Sequence, residues 1–251
     1  FFGGMDSLVS ADPDNSGIYD TLRIQRDYWH PTAEQRRRAL MPFLWDTLIP
    51  HGVVYGNVAR GSRATITNPH GFSAPGYMEI LTGRAQPDVT SNDAIRYSHK
   101  TVLEYVRQRL NLRVRDVAVF GSWDNFRFYA ASQPDAVFVN AGYDSLPTGI
   151  GTPEMRLLAH LQFRALAIWE GSRLDAFTGG MALAYIKQYQ PRLTFIAFND
   201  TDDFAHLRRY DRVLDAMHAL DQFLGELWYS VQTLPVYRGR TTLLVTTDHG
   251  R

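Results

Sequence analysis

The chain has 251 residues and 45% apolar content, enough to fill the core of a sizeable α/β domain. Its 26 basic and 26 acidic residues cancel, so the basic excess of a nucleic-acid binder is missing; the one cluster, Arg36-Arg37-Arg38, follows a capping box from Thr32 to Gln35 and reads as a solvated helix face. The lack of cysteine excludes disulfides, thiolate-bound zinc and a Cys nucleophile, and no apolar run approaches the span of a membrane helix.

In chain order, the polar stretch from Ala11 to Pro31 reads as a surface loop. A helical pattern follows from Ala33 to Leu48, where Pro42 marks a kink or break because it has no N–H to donate. Val53-Val54-Tyr55 is a strand candidate, and a Gly/Pro-bounded loop carrying Ser73 precedes a helix that starts near Pro75. Thr101 to Leu110 reads as a helix, and Val117 to Phe120 and Ala136 to Val139 read as strands. The loop from Gly142 to Pro153 contains Thr148-Gly149-Ile150-Gly151, but no strand feeds its glycines, which argues against a dinucleotide fingerprint. Helices are predicted over Pro153 to Glu170, Gly179 to Gln188 and His206 to Leu234; the last carries Val213, Leu214, Met217, Leu220, Leu224, Leu227, Trp228 and Val231 as an apolar packing stripe. The alternation predicts an α/β fold with a mostly parallel central sheet flanked by helices, in a single domain over 1–251.

Two strand candidates carry the chemistry. Leu193 to Phe198 opens into Asn199-Asp200-Thr201-Asp202-Asp203-Phe204-Ala205-His206, and Thr242 to Thr247 opens into Asp248-His249-Gly250-Arg251. Asp202 and His206 are four apart and share one helix face, where they can hold a cation or simply pair at the surface. Asp248 and His249 converge only where a strand breaks into a turn, which Gly250 permits. Each pair alone is a weak signal. Together, at the ends of apolar strands that can aim them into one crevice, they read as the ligands of a two-metal hydrolase.

A third segment, Ser73-Ala74-Pro75-Gly76-Tyr77-Met78-Glu79-Ile80-Leu81-Thr82-Gly83, resembles the nucleophile segment of the alkaline-phosphatase-like superfamily, nearest to its nucleotide pyrophosphatase/phosphodiesterase branch. Ser73, Pro75, Tyr77 and Thr82-Gly83 occupy that segment's places; a serine that merely caps the helix fits the same geometry. The phrases Ala39 to Trp45, Tyr55-Gly56-Asn57, Ser91-Asn92-Asp93, Phe120 to Asp124, Thr201 to His206 and Thr246 to Arg251 extend the resemblance over essentially the whole chain. It implies Asp202 and His206 on one metal, and Asp248, His249 and the Ser73 oxygen on the other, the ions being two divalent metals of the zinc type. Two further ligands, an Asp ending a first strand and a His beyond the second pair, have no counterpart, and the expectation is a fragment clipped at both ends.

The activity implied is hydrolysis of a small phosphate ester. Ser73 would attack phosphorus and form a phosphoseryl intermediate between two ions that clamp the attacking and leaving oxygens, with all four Asp and His ligands converging on Ser73 Oγ. Asn92 is a donor to a non-bridging oxygen by the same resemblance, or else a turn residue. Trp123 and Asp124 can line the pocket, or Trp123 can be core. A sulfatase-like member fits at Ser73-Ala74-Pro75, but Tyr77 stands where that motif needs Arg, which argues against it. A phosphoglycerate-mutase-like member of the superfamily and an inactive binding protein that retains the fold are both compatible with the same residues. The resemblance leans to a periplasmic or secreted setting. Substrate and oligomeric state are not legible.

Overall fold

The computed structural model describes residues 2–5 and 17–250. In chain order its elements are α1 (Thr21–Tyr28), α2 (Ala33–Leu40), α3 (Ser73–Thr82), α4 (Val102–Arg109), β1 (Val117–Gly121), α5 (Phe126–Tyr129), β2 (Phe138–Ala141), α6 (Pro153–Leu161), α7 (Asp175–Tyr189), β3 (Leu193–Ala197), α8 (Asp200–His206) and α9 (Tyr210–Thr233). They form two compact units, Phe1–Ala64 with Asp200–Thr233, and Thr65–Asn199 with Leu234–Arg251.

The second unit is α/β, as the sequence predicts. Its three strands are parallel in the order β2-β1-β3, with Val119 opposite Val139 on one side and Phe195 on the other. The central strand β1 is wholly buried, so its residues are apolar on both faces rather than alternating. Val117 and Val119 face a cluster with Tyr77 and Leu81 of α3, Leu103 of α4 and Phe126 of α5. Ala118 and Phe120 face the opposite layer, where Met155 of α6 and Met181, Ala182 and Tyr185 of α7 close over them. Helix α3 is therefore bolted to the sheet by its apolar turn.

The predicted strands over 53–55 and 242–247 do not form. Val53 and Tyr55 are exposed, and so are Leu244 and Val245; among the described residues neither stretch joins a ladder. A strand that buries no side chains and meets no neighbour has nothing to hold it in the sheet.

The first unit is helical. The loop predicted over 11–31 contains α1 in its described part: the Asp20 side chain accepts the Arg23 N–H, and Ile24 and Tyr28, four apart, are buried. Arg23 clamps Asp215 of α9 with two 2.8 Å hydrogen bonds. The predicted helix 33–48 stops at Leu40, because proline drives the preceding residue, Met41, out of the helical region (φ −135°, ψ 68°). The chain resumes as a π-turn over Leu44–Leu48, whose first amides are received by Asp221: its carboxylate accepts Phe43 N–H and Leu44 N–H, both at 2.8 Å. The long helix predicted over 206–234 starts only at Tyr210, as α9: His206 instead closes the separate helix α8, and between the two Arg208 adopts a left-handed conformation (φ 55°). The helix predicted over 153–170 ends at Leu161, after which the chain turns to bridge Trp169 to Ser172. The one predicted over 179–188 begins earlier, at Asp175.

Candidate active site

Ser73 is the first residue of α3 and is buried. It does not cap its helix: Phe72 holds the N-cap position and no side chain there accepts a hydrogen bond. The helix ends at Gly83, whose positive φ of 77° closes the turn after Thr82. Tyr77 lies in the core, edge-on to Phe126 at 4.7 Å, and so anchors the helix.

Two groups outside the first turn of α3 fix its leading end. Asn92 Oδ1 accepts the Ala74 N–H at 2.9 Å, and Asn92's carbonyl accepts from Asn125 Nδ2 at 2.8 Å, which ties the head of α3 to the loop beyond the carboxyl end of β1. The loop before Ser73 is fixed by Glu79, whose carboxylate accepts from the backbone and side chains of both Thr67 and Asn68 at 2.7–3.0 Å. Burial works against ionising Glu79, but these donations, led by the Asn68 side chain, outweigh it and hold the carboxyl below its ordinary value.

His249 reaches Ser73, and Asp248 reaches Gly76, without a strand to carry them. Ser73 Oγ and His249 Nε2 are 3.3 Å apart, and His249 Nε2 is 3.6 Å from Asp248 Oδ2. The approach depends on Gly76: a Cβ there would stand 2.2 Å from the carbonyl oxygen of Asp248. Sequence reasoning places neither Gly76 nor Glu79 in the site, since both contacts are tertiary. In the other unit, Asp202 and His206 lie on one face of α8, with Oδ2 and Nε2 3.2 Å apart.

The donors are carboxylate, imidazole and hydroxyl, the set that suits zinc-type ions. Two ligands at ~2.0–2.1 Å from a tetrahedral ion stand about 3.3 Å apart. Separations of 3.2, 3.3 and 3.6 Å in Asp202/His206, Ser73/His249 and Asp248/His249 bracket that figure, so the residues present fit such an ion as partial ligand sets. Among the described residues no group of three or more His, Cys, Asp or Glu could hold a metal ion by itself.

Trp123 packs against the cores on both its sides and meets Tyr129 edge-on at 5.6 Å. At the carboxyl end of β1, Ser122 Oγ donates to Asp175 at 2.5 Å, and Asn199 beyond β3 donates its N–H to the same oxygen at 2.7 Å. Next to this network Arg173 is fully buried, its guanidinium held by Thr178 at 2.8 Å and by the side chain and carbonyl of Asn140 at 2.7 and 3.1 Å; burial pushes its pKa down to about 10, so it stays cationic at neutral pH.

The parallel α/β unit thus places a buried serine beside a histidine, and that histidine beside a carboxylate. The chain belongs to the type I phosphodiesterase / nucleotide pyrophosphatase family, whose model matches residues 11–251, and it is a hydrolase of that phosphoester-cleaving class. Comparison with curated proteins and with solved structures finds no match. Among the described residues no helix is long and apolar enough to cross a membrane.

Proposed function

We propose that this protein hydrolyses small phosphate esters with Ser73 as nucleophile and two divalent ions of the zinc type. The observation that carries the reading is the 3.3 Å approach of Ser73 Oγ to His249 Nε2 at the head of α3, in a member of a phosphodiesterase family. Asp248, His249 and the Ser73 oxygen are assigned to one ion, and Asp202 and His206 to the other. The ions would supply positive charge that lowers the cost of ionising an oxygen and neutralises the phosphoryl group.

The chain's own residues do the rest. Ser73 gives up its hydroxyl proton to solvent, its Oγ bonds to phosphorus, and the ester oxygen opposite breaks from phosphorus and takes a proton from solvent to leave as the alcohol. Water then cleaves the phosphoseryl ester and restores the hydroxyl. Because Asn92 Oδ1 is committed to the Ala74 amide, its Nδ2 is left to donate to a non-bridging phosphoryl oxygen beside Ser73.

The test is turnover of an aryl phosphate monoester and diester by the zinc-loaded protein. Activity should vanish with chelation and in Ser73→Ala, with the fold kept, since one hydroxyl contributes little stability. Aryl sulfates should react much more slowly. Undiminished phosphoesterase activity in Ser73→Ala would overturn the reading.

A further inference from the structure

The segment carrying Asp248 and His249 has no ladder to hold it, yet it stands against the nucleophile helix with its backbone almost touching. What makes room is the missing side chain of Gly76. A Cβ at that position would lie 2.2 Å from Asp248 O, 2.8 Å from its carbonyl carbon and 3.3 Å from its Cβ. The first two distances are to backbone, so no rotamer change relieves them; either α3 or the 248–249 segment has to move. Helix α3 is fixed through Tyr77 and Leu81 in the core and through Glu79 and Asn92 at its leading end. The segment is the part that gives way, since its upstream residues Leu244 and Val245 are exposed.

We infer that Gly76 is a positioning residue: it is the seat on which the Asp248-His249 segment docks, and its lack of a Cβ sets the distance between His249 and Ser73. The inference rests on the assignment of Asp248 and His249 as metal ligands, and it explains why a residue that costs a helix about 1 kcal/mol relative to alanine sits within α3. On propensity alone Gly76→Ala stabilises the helix. If glycine is the seat, the same change unseats His249.

The experiment uses nuclear magnetic resonance of the metal-free protein labelled in histidine, followed by a zinc titration. In wild type, Gly76 Hα should show a cross-relaxation contact to Asp248 or His249; its absence overturns the inference whatever the variants do. In Gly76→Ala, the His249 ring signals should move as they do in Ser73→Ala, while far-UV circular dichroism stays native. Zinc affinity should fall roughly 10–100-fold, the cost of disturbing the support of a ligand. The control is Gly225→Ala, on α9, where the nearest atoms to a Cβ are those of the Phe43 ring, at the ordinary contact distance of 3.5 Å; it should leave His249 unchanged. Unmoved His249 signals in Gly76→Ala would overturn the inference. His249 signals that move with zinc affinity unchanged would leave the docking intact and remove the ligand assignment, so the two failures are distinguishable.

Discussion

Asn92 and Ala74 are joined by a 2.9 Å hydrogen bond from the Ala74 amide to the Asn92 side-chain oxygen, although they lie 18 positions apart. The bond does the work of an N-cap for α3 from a distance, and it orients the rest of the Asn92 amide at the same time.

Replacing Asn92 separates those two roles. Asn92→Asp keeps the oxygen that receives Ala74 and removes the Nδ2 donor, so turnover should fall on the order of 10²–10³-fold with the melting temperature held. Asn92→Ala should lose the rate and also about 1 kcal/mol of stability. Equal rates in wild type and Asn92→Asp would show that the side chain is only a cap.

Metal content is expected to divide between the two Asp/His pairs. Zinc-loaded wild type should carry two ions per chain by elemental analysis, with His206→Ala and His249→Ala each losing one of them along with most of the rate. A variant of either histidine that retains both ions would remove that pair from the ligand set.

Glu79 should matter to rate without touching metal. Its carboxylate fastens Thr67 and Asn68, so Glu79→Gln turns acceptor lone pairs into hydrogens that face donors. The loop leading to Ser73 should exchange its amide hydrogens faster and turnover should fall, while zinc stoichiometry stays at the wild-type value. Wild-type exchange across residues 67–72 in Glu79→Gln would sink the idea.

A pH dependence of stability follows from Glu104. Burial opposes its ionisation, but it accepts the backbone and hydroxyl donors of Ser132 and Thr101 at 2.8–3.3 Å, and the balance holds it below its ordinary value of 4.5. A depressed carboxyl contributes stability in full above the unfolded-state value and loses it as pH falls through the folded-state one. Glu104→Gln should therefore cost about 1–3 kcal/mol at pH 7, read as a lower melting temperature, and the gap to wild type should close as the solution is taken below the carboxylate range. A gap that persists undiminished into acid would show that packing, not charge, is lost.

The elements that can be read in the sequence are those whose signal is local. Val117 to Phe120 stands out because a strand buried on both faces is an unbroken apolar run, the tail of Ala136 to Val139 and Leu193 onward stand out because they are mostly apolar, and Thr101 and Thr32 announce their helices through capping boxes. Helix α1 escapes because only Ile24 and Tyr28 of its eight residues are buried, too few to make a stripe. Thr242 to Thr247 misleads for the opposite reason: the run is apolar enough, but pairing is decided by the neighbour. Ser73, Asn92, Asp248 and His249 can be named from their residue types and flanking phrases. The contact between Ser73 and His249, separated by 176 positions, cannot, because the glycine that admits it looks like any other helix glycine until the partner backbone is in view.

The double-sided burial of β1 makes the sheet a ruler for the chemistry. Sliding β1 by one residue against β2 and β3 would swap Val117 and Val119 with Ala118 and Phe120, driving a phenylalanine ring into the layer built for valine. The same slip would carry Asn125 along the strand axis by roughly 3.3 Å, further than its hydrogen bond to Asn92 can stretch, and the head of α3 would lose its tether. Misregistered chains would thus be penalised twice, once in packing and once at Ser73, so any population with the correct sheet arrives with the nucleophile already aligned.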